Sequence, residues 1–448
     1  MIKETEDDHD TVPIKIPILK SGGIFMNNIE NTSQPHEKHN FTVFVVNQVL
    51  GRIGWIFKNE TVIIPRFFDF HSSLGVMRGL LPLIIGVGQS LPQFLIAYPV
   101  SKMTRKKGVF TLSAFGIAIP WFILAVILEW TNYAGPVVIG FFLVSHSLSW
   151  LMQGCNGLAV GVLQGKLIRI DQRGRLLAYD NSIGCLLAIA AFWLVMPHWL
   201  REGNTNYAWI FGTAGCFFGL SACASFYFRE TPDWYSWDSA DSSASPTLSK
   251  FLGSGLMLIR YDRNIQLLAI IIVLFYFARV LVPHYTVFGM RRLGLASENF
   301  FTIITVQNIA NALGYWAIGN IADRRGNRIV LRMVIFIGAF APFVAIVISR
   351  LPNGADLYWF VYAFLGFFPT SYRVVMNYTL EIAPRERHAQ YLGVMNLIQA
   401  CSLIASPLIG LLIDGFSFEP VFISCGILAL SAALLTFRMT DPRHSRFL

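Results

Sequence analysis

The chain has 448 residues, of which 54% are hydrophobic and only 14% are charged, and its mean hydropathy is +0.53. Ordinary soluble domains carry roughly 25% charged residues, so this composition argues against a soluble protein and favours one large membrane bundle. The formal charge of +9 does not indicate a nucleic-acid partner, because the lysines and arginines lie in short loops between apolar runs.

Residues 1–40 are polar, with an acidic cluster near the start, and are predicted to form a cytoplasmic tail rather than a signal peptide. Apolar runs long enough to cross about 30 Å of hydrocarbon follow. Backbone groups in lipid must be hydrogen bonded internally, so these runs indicate an all-α membrane protein. The twelve predicted transmembrane helices cover residues 41–64, 78–100, 110–130, 136–163, 177–199, 207–228, 265–289, 299–321, 329–349, 357–380, 390–413 and 418–438.

The distribution of basic residues predicts the orientation of this bundle. Loops after even-numbered helices hold 14 lysines and arginines, whereas loops after odd-numbered helices hold 7. Short basic loops stay inside the cell, so both termini are predicted to be cytoplasmic and the protein to lie in the cytoplasmic (inner) membrane. Residues 229–264 have the composition of a linker, which separates a first half at 41–228 from a second half at 265–440 and a short tail at 441–448.

Two basic loops that contain glycine recur in the halves. The first half has Arg105-Lys-Lys-Gly108, and the second half has Asp323-Arg-Arg-Gly326 about 219 residues later. A duplicated unit of six helices is the simplest origin of this repeat, and two such halves facing a central cavity are a common plan among transporters.

The stretch Gly319-Asn-Ile-Ala-Asp323-Arg324-Arg-Gly326-Asn-Arg328 resembles the signature loop of the major facilitator superfamily, and it falls between the eighth and ninth predicted helices as in that family. The resemblance implies a secondary transporter that alternates by a rocker-switch motion, with this loop latching the outward-facing state. We expect Gly319 to permit close helix contact, Asp323 to face a helix N-terminus or Arg387, and the arginines to bind acidic groups or lipid phosphates.

Within the superfamily, Leu91-Pro92-Gln93 and the stretch from Gly157 to Gly165 resemble bacterial permeases of unassigned substrate. The resemblance therefore implies a transport mechanism but does not identify a substrate. The glycines at 157, 161 and 165 are four residues apart, and this spacing predicts a packing groove for a neighbouring helix.

Three arginines lie inside apolar segments, where a charge needs a partner, a wet cavity or an escape to the surface: Arg52, Arg279 and Arg373. An arginine on each of the first and seventh helices resembles the organophosphate:phosphate antiporters of the superfamily, which implies an anionic substrate. For Arg52 the alternative is a side chain that snorkels to the surface, and for Arg373 it is a structural pair with a carboxylate.

Uncharged polar residues at similar depth predict further substrate contacts from Gln89, Gln93, Gln153, Asn156, Gln307 and Asn311. Hydrogen bonding between helices is the competing use of such amides. Glu60 is the candidate for proton coupling, and a surface position is the alternative.

The sequence has no nucleotide-binding loop and no catalytic or metal-binding constellation, so we expect neither an enzyme nor a cofactor. The prediction is a monomeric carrier of a small organic solute, driven by a gradient or by exchange. Two alternatives stay open: an exporter of lipophilic compounds, and a membrane receptor or assembly factor that transports nothing.

Overall fold

The computed structural model describes residues 36–130, 135–200, 205–232, 260, 262–384 and 387–439, and all regular structure in these ranges is helical. The predicted N-terminal tail lies outside the described residues except for its last five, and so does most of the predicted linker and the whole C-terminal tail. An all-α membrane protein is therefore the observed fold class.

In the N-terminal part of the chain, several predicted helices end elsewhere or are broken. The predicted first helix is two helices, because Asn59 Oδ1 accepts the backbone N–H groups of Thr61 and Val62 at 3.0 and 2.8 Å and turns the chain. A five-residue π-helical turn, Asp180–Gly184, interrupts the fifth. The helices are α1 Glu37–Phe57, α2 Ile63–His71, α3 Gly75–Lys102, α4 Lys107–Trp130, α5 Pro136–Leu167, α6 Ile170–Tyr179, α7 Cys185–Val195 and α8 Tyr207–Ala224.

The C-terminal part of the chain is also broken, and three of the breaks lie next to a proline, which has no N–H to continue a helix. Pro283, Pro369 and Pro407 each lie in the first turn of a new helix. The helices are α9 Arg263–Val280, α10 Val282–Leu293, α11 Ser297–Arg325, α12 Asn327–Ile348, α13 Gly354–Leu357, α14 Trp359–Leu365, α15 Phe368–Ile382, α16 His388–Ser402, α17 Ser406–Phe416 and α18 Phe418–Leu435.

Seven helical segments of the described chain are long and apolar enough to cross a membrane. The segments that fall short include α1, α3, α11 and α15. Arg52, Gln89, Gln307 and Arg373 lie on these helices, and α15 falls short because it is only 15 residues long.

The loops at one end of the bundle, which we call the basic end, carry Lys102, Arg105, Lys106, Lys107, Lys166 and Arg169. Glu230 organises this end: its carboxylate accepts the backbone N–H groups of Lys106 and Lys107 at the start of α4, and it pairs with Lys166 Nζ at 2.8 Å. A carboxylate at a helix N-terminus satisfies free N–H groups and favours the helix dipole. The start of α1 is fixed here too, by the pair of Glu37 with Arg169 at 3.3 Å.

Helices α3 and α5 cross in close contact through glycine. A Cβ placed on Gly154 would overlap the carbonyl oxygen of Gly88 and lie 3.2 Å from Pro92 Cδ. The predicted groove at Gly157, Gly161 and Gly165 is not this crossing, since a Cβ on Gly161 would meet no described atom within 4 Å. The expectation was wrong because spacing along a helix does not show which face the neighbouring helix covers.

We expect Gly154→Ala to lower the apparent unfolding temperature in detergent by several degrees, because the added methyl group collides with backbone that cannot rotate away. Overpacking of this kind typically costs about 1–3 kcal/mol. Gly161→Ala is the matched control and should leave the unfolding temperature unchanged. Equal melting of the two variants would show that α3 and α5 do not pack as described.

Candidate functional site

A cavity of about 920 Å³ lies between the first and second halves of the chain, and α1, α3, α5, α9, α11 and α15 all contribute to its wall. A volume in this range is typical of sites for small organic molecules. Of the residues predicted to contact substrate or to couple protons, the wall contains Arg52, Glu60, Gln89, Gln93, Gln153, Asn156, Arg279, Gln307 and Arg373.

Arg279 is placed near the end of α9, roughly 24 Å along that helix at 1.5 Å per residue. Its Nη1 lies 3.3 Å from the hydroxyl oxygen of Tyr276 and 3.5 Å from that of Ser371, and the Tyr276 hydroxyl in turn donates to Gln399 at 2.7 Å. No carboxylate of the described chain lies within 4 Å of the guanidinium group, and its Nε and Nη2 donate to no described residue. A half-buried cation is thus held by neutral hydroxyl groups and directed at the cavity.

The other two arginines face the same cavity. Arg52 lies roughly 22 Å along α1 and lines the wall, which argues against a side chain that snorkels to the surface. Arg373 lies over the ring of Tyr315, with its Cζ 5.0 Å from the ring centroid, and no described carboxylate pairs with it. The cation–π contact replaces the structural carboxylate considered as the alternative from the sequence.

The amides divide between the cavity wall and helix packing. Asn156 lines the wall, but its Nδ2 also donates to Phe110 O at 3.2 Å and Ser113 Oγ at 3.1 Å on α4. Asn311 is not part of the wall; its Nδ2 donates to Gly366 O at 3.1 Å, so its amide joins α11 to the end of α14. The sequence predicts Asn311 as a substrate contact from its depth and polarity, but its amide meets the end of α14 instead.

Glu60 is at the cavity wall, and its partner is a residue that the sequence did not single out. Glu60 Oε1 accepts from Lys58 Nζ at 2.8 Å and from Trp150 Nε1 at 3.0 Å, while Lys58 is fully buried. Lys58 follows the end of α1 and lies inside the segment 41–64 that the sequence predicts as one helix. No local sequence signal marks Lys58, because two of the rings that surround its ammonium group come from other helices.

The cavity ends at a cluster of polar contacts opposite the basic end, which we call the closed end. Asp69 of α2 pairs with Arg78 of α3 at 3.3 Å and with Arg291 of α10 at 2.6 Å, and Arg78 is fully buried. Arg66 Nη2 donates to Ser297 Oγ at 3.2 Å. On the cavity side of these contacts, the side-chain amide oxygen of Gln307 accepts a hydrogen bond from Thr61 Oγ1 at 2.6 Å. Each of these sets joins the two halves of the chain.

Helices α3 and α17 also meet at the closed end. The Asp414 carboxylate accepts the backbone N–H groups of Gly75 at 2.7 Å and of Val76 at 3.3 Å, so a side chain of the second half caps a helix of the first. Farther along α3, the Ser406 hydroxyl donates to Gly79 O. The closed end is therefore sealed by interactions that a separation of the halves would break.

At the basic end, the structure assigns roles to parts of the signature loop. Gly326 ends α11 with φ +85°, a conformation that favours glycine, and Arg328 Nη1 donates to Met439 O at 3.2 Å. Gly319 does not make the close helix contact expected of it, since a Cβ there would meet no described atom within 4 Å. Arg324 and Arg387 are exposed, and the side chain of Asp323 lies outside the described residues.

Comparison with solved structures shows the fold that this cavity belongs to. A variant of the nucleoside transporter NupG aligns with a TM-score of 0.68 and 13% identity, over 90% of this chain and all of that one. A bacterial homologue of the human lysosomal transporter Spinster, in an inward-facing and unoccupied conformation, aligns with a TM-score of 0.60 and 14% identity, over 91% of this chain and 98% of that one. At such identity the likeness shows the fold alone.

A search among curated proteins finds no match. The family model described as Major Facilitator Superfamily matches residues 61–401, well over half of the sequence. The match includes the signature loop and every cavity residue named above except Arg52 and Glu60. The chain therefore belongs to the major facilitator superfamily of membrane transporters.

Proposed function

We propose that this protein is a secondary active transporter that moves a small organic anion across the cytoplasmic membrane. The observation that carries the proposal is Arg279, a cavity-facing guanidinium group with no carboxylate among its described neighbours. A charge at this depth is costly without a partner, and a bound anion would supply one. The planar group also matches the two oxygens of a carboxylate or phosphate.

The balance of charge along the wall supports an anion. Arg52, Arg279 and Arg373 face the cavity, and Glu60 is the carboxylate among the described lining residues. Because Lys58 already neutralises Glu60 at 2.8 Å, that carboxylate does not cancel the positive field of Arg279 and Arg373 inside the cavity. Low-dielectric walls strengthen such a field and concentrate counter-ions of opposite sign.

We also propose that the helices group into twelve spans, six on each side of the 229–264 linker, with both termini and the basic end in the cytoplasm. The halves have matching breaks: α1 and α2 are separated by a turn, and α9 and α10 are separated at Leu281. Basic loops support the orientation. A membrane-impermeant reagent that reaches a cysteine at Arg324 only from outside the cell would contradict it.

Transport would occur by a rocker-switch motion, in which the closed end opens as the basic end closes. We assign the latch of the opposite state to the signature loop, with Asp323, Arg324 and Arg328 as its charged members and Arg387, just before α16, as their partner across the gate. Asp323→Asn should slow transport several-fold while the protein still inserts and folds. Normal transport by that variant would mean that the loop is only a basic turn.

An exporter of lipophilic compounds is the second candidate. The wall also contains Trp55, Trp150, Phe218 and Phe368, and these rings would suit an apolar solute. In that case the cavity arginines would stabilise the fold and would not bind the substrate. Coupling to protons through Glu60 remains compatible with either solute, since its carboxylate faces the cavity.

The deciding experiment is a thermal-shift screen of purified protein against organic acids, phosphates, sugars and cations, followed by counterflow in proteoliposomes with the best ligand. Stabilisation by anions and counterflow of the same anion support the proposal. Stabilisation by neutral lipophiles alone would favour the exporter. Stabilisation without counterflow would indicate a receptor.

A further inference from the structure

Lys58 occupies a cage of three indole rings in the wall of the first half. Its Nζ lies 3.7 Å from the ring centroid of Trp55, 5.0 Å from that of Trp121 and 5.3 Å from that of Trp150. The fourth side of the cage is the Glu60 carboxylate at 2.8 Å. The side chain of Lys58 is fully buried, so none of this arrangement depends on solvent.

The cage is held in place by contacts of its own. Trp121 Nε1 donates to Ser149 Oγ at 2.9 Å, and Trp150 Nε1 donates to Glu60 Oε1 at 3.0 Å. The rings of Trp55 and Trp150 lie 5.3 Å apart. Trp121 is thus held by a partner other than the ammonium group, whereas Trp150 shares Glu60 Oε1 with that group.

Aromatic faces with a carboxylate are the arrangement by which proteins bind alkylammonium ligands. Here the ligand position is filled by the chain itself. Three members of the cage, Trp55, Glu60 and Trp150, also line the central cavity, so the cage opens onto the route of the substrate. An ammonium group from a solute would reach the same rings if Lys58 did not fill them.

We infer that Lys58 is a tethered ammonium group that occupies a cation site in the cavity wall and so determines specificity against solutes that carry an alkylammonium group. The role in specificity rests on the proposed function of the cavity as the substrate site. The cation site itself does not, because its ligand chemistry is set by the indoles and Glu60. In the parent protein the cation site is therefore filled, and the part of the cavity wall that carries Arg279 and Arg373 is the surface available to a ligand.

Lys58→Ala tests the inference, because n-propylammonium has the three carbons and one nitrogen that this change removes. We expect n-propylammonium chloride to stabilise the variant against heat and to bind it at least about tenfold more tightly than the parent, as cation–π attraction to desolvated indoles implies. Sodium chloride at equal ionic strength and n-propanol should do neither. Lys102→Ala, which removes an exposed lysine of the basic end, is the matched control.

The double variant Lys58→Ala, Glu60→Gln should lose most of the gained affinity, since the carboxylate side of the cage is gone. If Lys58→Ala does not accumulate as folded protein, expression and purification with n-propylammonium should restore the yield and n-propanol should not. Equal binding by parent and variant, or no binding and no rescue, would overturn the inference. Anion binding by the parent is measured separately, so failure of the proposed function would be recognised independently.

Discussion

Arg279→Gln is expected to weaken binding of organic anions by about 30-fold or more, the effect of losing one member of a desolvated charge pair. Glutamine keeps a hydrogen-bond donor at the cavity wall and removes the charge. The parent guanidinium group meets the hydroxyl groups of Tyr276 and Ser371 and no carboxylate of the described residues, so the variant leaves no carboxylate unpaired among them. The protein should therefore fold and insert normally, and the loss should be confined to the ligand.

Arg279→Lys separates charge from geometry. The ammonium group keeps the charge but loses the planar pair of donors, and we expect binding about tenfold weaker than in the parent. Arg350→Gln, at an exposed turn where the arginine pairs with Glu419 at 3.0 Å, is the matched control and should bind like the parent. Affinities are measured by calorimetry at several salt concentrations. Parent-like binding by both Arg279 variants, or a parent that prefers cations, would make Arg279 structural.

The fold class was predictable because lipid demands internally bonded backbone, and long apolar runs leave helices as the solution. The breaks were harder to predict. The end of α1 depends on the side chain of Asn59 accepting backbone N–H groups, and the interruption at Leu281 depends on Pro283. Such turns are decided by one or two side chains, whereas hydropathy is an average over about twenty residues.

Members of the candidate site could be predicted where the position of a polar residue along its membrane helix was enough to exclude contact with lipid. Arg52, Arg279 and Gln89 are too polar for lipid, and the structure places all three at the cavity. Depth does not give direction, however. Asn311 has the same depth and polarity, yet its amide faces Gly366, because a small rotation of α11 decides which face meets a helix.

The burial of Lys58, by contrast, could not be predicted from the sequence. A lysine followed by Asn59 and Glu60 has the composition of a loop at a membrane surface, and the sequence alone gives no reason to bury it. What buries it is tertiary: Trp121 and Trp150 come from α4 and α5, 63 and 92 residues farther along the chain. A cage assembled from separate helices leaves no local pattern to recognise.

Asp69→Asn is expected to open the closed end. Asp69 joins α2 to Arg291 of α10 and also pairs with Arg78, which is fully buried and has Nε and Nη2 without a partner among the described residues. The variant would leave two arginines facing each other without a carboxylate between them. Because Asp69 and Arg291 keep some exposure, the cost lies between the ~1 kcal/mol of an exposed pair and the ~3–5 kcal/mol of a buried one.

The loss of the Arg78 pair, which lies within the first half, affects both states, whereas the loss of the Arg291 pair affects the closed state alone, since separation of the halves returns Arg291 to water. The population of the open state should therefore rise by about tenfold. Leu81→Cys, at a buried position of the cavity wall one turn along α3 from Arg78, reports the opening in a background without the native cysteines. A membrane-impermeant maleimide added to the face opposite the basic end should label this cysteine faster in the Asp69→Asn variant. Glu419→Gln is the matched control: Glu419 pairs with Arg292 and Arg350 at the same end but joins no helix of the first half through them, so its loss should leave labelling unchanged. Equal labelling with and without Asp69→Asn would show that the contacts of Asp414 and Gln307 hold the closed end without it.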